Sequence, residues 1–314
     1  MQHYLLADQK LPAYLNYVAE ACAWQSASLD CLFFVVVHDL DADAARARPA
    51  ALFPCRAADD ALPANVLVRV LSWSEWAALM MRSAHVTAQP LGNYKKQSDY
   101  RPAYADLFSE FLPESRYSHW GWFDPDTIIG NVSHFMDGLE LDIYTAYWPP
   151  AGPDMRYMAG QLSVFRNTAA LRHLYLQIPN VVQQMDDPAQ LGVDESIFGA
   201  VVFPTAERFG YRFKSSFESL QDHPNEPGHD RDDYVFERGR VFAVSKCNAG
   251  AALREAVHIH IAGIKRFPGS GGCDFVTRER GWALPRWELA ATPGEDRLVP
   301  SFATFHDPEW GRRC

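Results

Sequence analysis

The residues with the clearest chemistry lie in the run Trp120-Gly121-Trp122-Phe123-Asp124-Pro125-Asp126. Asp124 and Asp126 are carboxylates at i and i+2, directly after an apolar stretch. They can converge at a strand end if the pleat breaks between them. Pro125 favours that break, because it fixes φ and cannot donate to a sheet ladder. Two hard oxygen ligands suit Mn²⁺ or Mg²⁺, with a substrate diphosphate filling other positions. An Asp-x-Asp pair alone says little, since acids are common at turns and caps. A candidate third ligand adds weight. His258 and His260 share one strand face, because strands repeat every two residues, and imidazole suits Mn²⁺. Gly263 permits close backbone approach to a phosphate, and Lys265 offers it a point charge. Either His alone reads more simply as a core or surface residue; the grouping from His260 to Lys265 is the more specific signal.

Several elements must position these groups. Leu11 to Cys22 carries apolar residues at helical spacing, with Pro12 near the first turn. The unbroken run Leu32 to Val37 predicts a strand buried on both faces, as in a parallel sheet. It ends at His38 and Asp39, where open α/β sheets bind ligands. Asn65 to Leu71 predicts another strand. Ser72, with Glu75 three residues on, predicts a helix start by reciprocal capping. Residues 43–60 read as loop, Ala105 to Leu112 as helix, and Tyr117 to Phe123, Gln161 to Phe165 and Val257 to Ile261 as strands. Thr168 to Gln177 and Pro179 to Met185 read as helical. Asp194 and Glu195 open a further helix, where acids are favoured. Residues 215–233 read as an acidic loop, either a lid or simply a solvated surface. Strands alternating with helices predict an α/β domain.

The motifs, taken in order, carry a resemblance. They are Pro12-Ala13-Tyr14, Leu62-Pro63-Ala64-Asn65-Val66, the run Lys96 to Phe108, the run Trp120 to Asp126 with Ile128-Ile129-Gly130-Asn131, the run Gly160 to Thr168, and Asp194-Glu195. Across most of the chain this set resembles an uncharacterised group of GT-A-type glycosyltransferases from bacterial polysaccharide clusters and some large viruses. His260 to Lys265 is also similar to the His-x-x-Gly-x-x-Lys-Pro-Trp motif of glycogenin-like retaining transferases, though one residue shorter and continuing Arg266-Phe267-Pro268.

The resemblance implies a GT-A, Rossmann-like fold: a mixed, mostly parallel sheet flanked by helices. The domain would span 1–268, with a C-terminal extension over 269–314. It implies a nucleotide-sugar donor, UDP- or GDP-linked, and a glycan or other hydroxyl acceptor. Asp124, Asp126 and His260 would hold Mn²⁺ or Mg²⁺. Lys96, Asp99 and Arg101 would lie near the donor, with Lys96 or Lys265 by the diphosphate and Gly263 beside it; a surface salt-bridge cluster is their plainer reading. Asp194 or Glu195 would sit under a sugar, as a base in an inverting course or an orienting group in a retaining one. Gln161 and Asn167 read either as sugar ligands or as turn and cap residues. His38 and Asp39 would face the nucleoside. GT-A folds open with an apolar strand, and here only Met1 to Leu6 offers one, so that strand is abbreviated or His3 to Leu6 serves.

Composition bounds the alternatives. The 314 residues are 48% apolar and 22% charged, as in a globular protein. Asp and Glu number 39 against 29 Lys and Arg, a formal charge of −10. That argues against nucleic acid and anionic membranes as partners. The six cysteines are scattered with no C-x-x-C pair, which predicts free thiols in a reducing, cytoplasmic setting rather than a zinc cluster or a disulfide framework. No apolar run approaches the ~20 residues of a membrane span, so no stable membrane anchor is expected. Two further classes stay open: a catalytically inactive sugar-binding or scaffold module, and a sugar-phosphate nucleotidyltransferase, whose Gly-rich N-terminal loop this sequence lacks.

Overall fold

A computed structural model describes residues 2–5, 11–37, 42–53, 61–84, 94–146, 156–216, 219–221, 232–245 and 254–260, apart from positions 13, 26 and 238. His38, Asp39, Gly263, Lys265 and the extension 269–314 lie outside the described residues.

The first sheet is wholly parallel. β1 (Gln2–Leu5) pairs with β2 (Cys31–Val37), and β2 with β3 (Val66–Ser72). The short opening segment does serve as a strand, in register with Phe34 to Val37. β2 is covered on both faces, as its unbroken apolar run demands. Phe33, Val35 and Val37 join one core cluster with Leu15, Val18 and Cys22 of α1 (Leu15–Trp24). Phe34 and Val36 join another with Trp76, Phe108, Trp120 and Trp122.

Cys22 and Cys31 are disulfide-bonded, with Cα atoms 6.1 Å apart. This corrects the expectation of free thiols at these two positions. α1 packs on β2 so that two cysteines separated by nine residues in sequence become neighbours. The side-chain amide of Asn65 closes the same corner, donating to the carbonyls of Cys22 (2.6 Å) and Leu29 (2.9 Å).

The segment read as loop is partly helical: α2 (Ala42–Ala47) and a 3₁₀ turn at Pro49–Leu52 occupy it. α3 (Trp73–Ala84) starts on the expected reciprocal cap. The Ser72 amide donates to Glu75 Oε2 (2.7 Å), and the Glu75 amide donates to Ser72 Oγ (3.2 Å). A 3₁₀ stretch at Tyr94–Ala103 leads into the single turn of α4 (Tyr104–Leu107).

β4 (His119–Phe123) turns through Asp124-Pro125-Asp126 into β5 (Thr127–Ile129), the Thr127 amide donating to the Asp124 carbonyl at 3.0 Å. α5 (Val132–Phe135), β6 (Ile143–Ala146) and β7 (Leu162–Arg166) follow. Then come α6 (Ala169–Arg172), α7 (Val181–Asp186), a π-helical turn at Val193–Ile197, α8 (Phe198–Phe209) and β8 (Phe213–Ser216). The second sheet runs β4-β7-β6-β8; its β4–β7 and β7–β6 pairs are antiparallel, and β6–β8 is parallel.

The remaining strands are β9 (Ser219–Gln221), β10 (Asp232–Glu237), β11 (Arg240–Ser245), β12 (Arg254–Ala256) and β13 (His258–His260). They form a sheet β5-β13-β9 and an antiparallel sheet β10-β11-β12. Among the described residues the α/β fold therefore has four small sheets, not one mostly parallel sheet. Parts of β8, β9 and β10 fall within the stretch read as an acidic loop. No described helix is long and apolar enough to cross a membrane.

Candidate metal and sugar site

β4 and β13 bring the predicted ligands together. The Asp124-Pro125-Asp126 turn follows β4, and β13 pairs antiparallel with β5, setting His260 opposite Thr127. His260 Nε2 lies 3.1 Å from Asp126 Oδ2 and 3.7 Å from Asp124 Oδ2. One ligand atom from each of the three residues falls within 4.8 Å of the others. Asp126 is fully buried and His260 is 9% exposed. Two carboxylates and an imidazole at this spacing fit the donor set of a hard divalent cation. His258, two residues back, is buried; burial first, and the His260 ring second, push it down to about 3, so it stands neutral in the core.

Arg101 spans the centre. Its Nη1 donates to Asp194 Oδ2 (2.9 Å) and to the Gly160 carbonyl (3.3 Å), while Nη2 donates to Asp124 Oδ1. Burial pulls its pKa down, and the Asp124 and Asp194 carboxylates more than offset this, holding it above its ordinary value. Asp194 is 2% exposed. Burial pushes it up to about 7, against the pull of Arg101, with Glu195, Asp99 and Asp124 adding to the rise. Burial likewise raises Glu195, opposed by a hydrogen bond from the Tyr157 phenol. Both acids sit on the π-helical turn, an irregularity frequent at functional sites.

Two contributors carry no sequence signal of their own. A Cβ on Gly160 would lie 2.7 Å from Arg101 Nη1, 3.0 Å from Glu195 Oε1 and 3.7 Å from Asp124 Oδ2. Gly160 is thus the floor on which these three meet. Tyr14, at the start of α1, is raised by burial and then by the charges of Asp126 and Asp124. Only the appearance of both within the resembling motifs marks them out.

Lys96 and Asp99 sit differently. The Lys96 ammonium donates to Asp99 Oδ2 (2.9 Å) and to the carbonyls of Gln184 (2.6 Å) and Gln190 (3.0 Å). Asp99 Oδ1 accepts from the amides of Gly192 (3.0 Å) and Val193 (2.9 Å). The ammonium is consumed in tying α7 and Gln190 to Asp99, which in turn holds the amides at the start of the turn carrying Asp194 and Glu195. Asn167 is a structural clamp too: it donates to the Leu112 and Tyr117 carbonyls and accepts from Arg172. The Gln161 carbonyl accepts from the Asp124 amide (3.3 Å), and its buried side-chain oxygen has no hydrogen-bond partner among the described residues.

The chain belongs to a family of unknown function, DUF6625, which it matches over residues 52–267. No curated protein matches it. Among solved structures it is similar to a galactosyltransferase, LgtC, in complex with donor and acceptor sugar analogs. That comparison has 12% identity and a TM-score of 0.35, covering 84% of this chain and 87% of the other. An active-site mutant of LgtC gives 12% identity and a TM-score of 0.36, covering 84% and 88%.

Proposed function

We propose that the protein is a metal-dependent glycosyltransferase of GT-A type, moving a sugar from a nucleoside-diphosphate donor to an acceptor hydroxyl. The observation that carries this reading is the convergence of Asp124, Asp126 and His260 beside Arg101, Asp194 and Glu195. The resemblance of the ordered motifs to those of GT-A-type transferases supports it.

Asp124, Asp126 and His260 would hold Mn²⁺ or Mg²⁺, which when bound supplies positive charge to a leaving diphosphate. The chain's own groups do the rest. Arg101 orients the Asp124 carboxylate by a charge-assisted hydrogen bond from Nη2, while Asp194 accepts from Nη1 of the same guanidinium. Glu195, half-buried and facing Gly160, is the carboxylate placed to meet a sugar hydroxyl, as a base or as an orienting group. Lys96 and Asp99 keep the Asp194–Glu195 turn in place. Burial of Asp126 and Asp194 keeps water from their carboxylates, which strengthens every charge interaction there. The GT-A domain over 1–268, Gly263 and Lys265 at the diphosphate, and His38 and Asp39 at the nucleoside complete the proposal.

A thermal-shift screen of nucleotide sugars with and without Mn²⁺ tests it. A ligand that binds only the folded state raises its stability by mass action. One nucleotide is expected to stabilise the protein in a Mn²⁺-dependent way, followed by Mn²⁺-dependent hydrolysis of its sugar conjugate. A flat screen across all donors rejects the reading.

A further inference from the structure

The segment from Met158 to Gln161 carries the floor of the site, and its backbone is bonded at each step. The Met158 amide donates to the Glu195 carbonyl (3.2 Å). The Gly160 carbonyl accepts from Arg101 Nη1 (3.3 Å), and the Gln161 carbonyl accepts from the Asp124 amide (3.3 Å). Ala159 lies between these contacts and is fully buried. A buried amide and carbonyl each need a partner. At Ala159 side chains supply them.

Those side chains form a row. Trp122 of β4, Ser163 of β7 and Thr145 of β6 are register partners across three strands, and all three are buried. The Ala159 amide donates to Thr145 Oγ1 (2.8 Å). Ser163 Oγ donates to the Ala159 carbonyl (2.8 Å), which also accepts from the Trp122 indole (3.1 Å). Ser163 has a single hydroxyl proton and a carbonyl can only accept, so that proton is committed to Ala159. In the remaining contact, 3.0 Å between the two hydroxyls, Thr145 is therefore the donor. The bonds run one way round a closed ring, from the Ala159 amide to Thr145, to Ser163 and back to the Ala159 carbonyl. Hydrogen bonds aligned in this way polarise and strengthen one another.

We propose that Thr145 is a positioning residue for the sugar site, fixing through Ala159 the place where Gly160 meets Arg101 and Glu195; this rests on the glycosyltransferase reading of that site. Packing alone does not account for the ring. Ile143 and Phe165, two residues from Thr145 and Ser163 on the same strand face, belong with Trp122 to an apolar cluster. Val at position 145 would suit that face with no hydroxyl to satisfy. A buried hydroxyl is costly unless bonded, and both bonds of Thr145 serve the peptide beside Gly160. A shift of that peptide moves the Gly160 carbonyl off Arg101, the side chain that bonds both Asp124 and Asp194.

The test uses the full-length protein with Thr145→Val, Thr145→Ser and Ser163→Ala. Thr145→Val keeps the branched shape and removes the acceptor of the Ala159 amide. Exchange at that amide is expected to speed up by about tenfold, and the NMR signals of the Arg101 guanidinium to shift. For Mn²⁺-dependent donor hydrolysis, kcat is expected to fall by about tenfold with the donor KM changed less than about threefold, because this segment sets geometry and the diphosphate is held elsewhere. Thr145→Ser keeps the ring and should match the parent in every readout. Ser163→Ala leaves the Trp122 indole on the Ala159 carbonyl, so it should move each readout the same way by less, and it decides the question if Thr145→Val does not fold. Parent-like Arg101 signals and kcat in Thr145→Val, or in Ser163→Ala where that variant decides, overturn the assignment. So does an equal loss in Thr145→Ser and Thr145→Val, which marks a packing role. If the parent itself hydrolyses no donor, the glycosyltransferase reading is what fails, and the Arg101 signals still decide whether Thr145 sets this geometry.

Discussion

Lys96 and Asp99 form one charged cluster; Arg101, two residues further on, belongs to another. In the first, one ammonium meets one carboxylate, and the spare donors and acceptors are taken by the Gln184 and Gln190 carbonyls and the Gly192 and Val193 amides. In the second, Arg101 and His260 face Asp124, Asp126, Asp194 and Glu195. Similar side chains thus give a closed structural clamp in one place and a surplus of negative charge in the other. A buried surplus of one sign is costly unless something of opposite sign arrives. On the proposed reading, the contrast separates charges that hold the fold from charges that would meet a ligand.

Breaking the clamp should have the largest effect. Asp99→Ala strands a buried ammonium and releases the turn that carries Asp194. A loss of about 3–5 kcal/mol is expected, since removing one partner of a buried pair leaves the other uncompensated. Urea unfolding measures it, and a loss below about 1 kcal/mol would show the clamp to be dispensable. Asp126→Asn should do the reverse. Metal-free protein is expected to be at least as stable as the parent, because a like charge is removed. Mn²⁺ affinity by calorimetry should fall at least ~100-fold, about 2.7 kcal/mol. Unchanged Mn²⁺ binding would move the metal elsewhere.

Gly160 sharpens the contrast from the site's side. Gly160→Ala puts a methyl group 2.7 Å from Arg101 Nη1 and 3.0 Å from Glu195 Oε1. Overpacking of this kind costs about 1–3 kcal/mol. Because the neighbours are side-chain ends, they can swing away, and the damage should fall more on donor turnover than on the unfolding midpoint. Equal turnover in the variant and parent would show that these groups need not meet.

What the sequence discloses follows the same division. Long apolar runs disclose β2, β3 and β4, and the Ser72–Glu75 cap discloses the start of α3, because each is a local pattern. The grouping of Asp124, Asp126 and His260 is legible because Asp-x-Asp and the alternate histidines are local too, even though β13 must travel to β5 to join them. β6 and β9 are not legible: at four and three residues they are too short for a period to show. Nor is the Cys22–Cys31 bond, which arises from α1 packing on β2. Lys96 is the instructive case. Its charge is visible in the sequence, whereas the carbonyls that consume it, of Gln184 on α7 and of Gln190, lie some ninety residues away and only folding brings them close.

The smallest expected effect is a slope with pH, and it tests which cluster Asp194 belongs to. A closed pair would keep the carboxylate ionised well into acid, so that stability would be lost as pH falls. Asp194 behaves otherwise: burial raises it to about 7 despite Arg101. An unfolded Asp titrates near pH 4. Between about pH 4 and 7 the folded chain therefore holds a proton that the unfolded chain has lost. Stability from this group is full below about pH 4, declines as pH rises through that window, and is flat above it. Metal-free protein unfolded in urea across this range should show the decline, and Asp194→Asn should remove its share while leaving the contributions of other groups. A parent and variant with parallel pH profiles would place Asp194 with the closed clamp, as a permanently charged partner of Arg101.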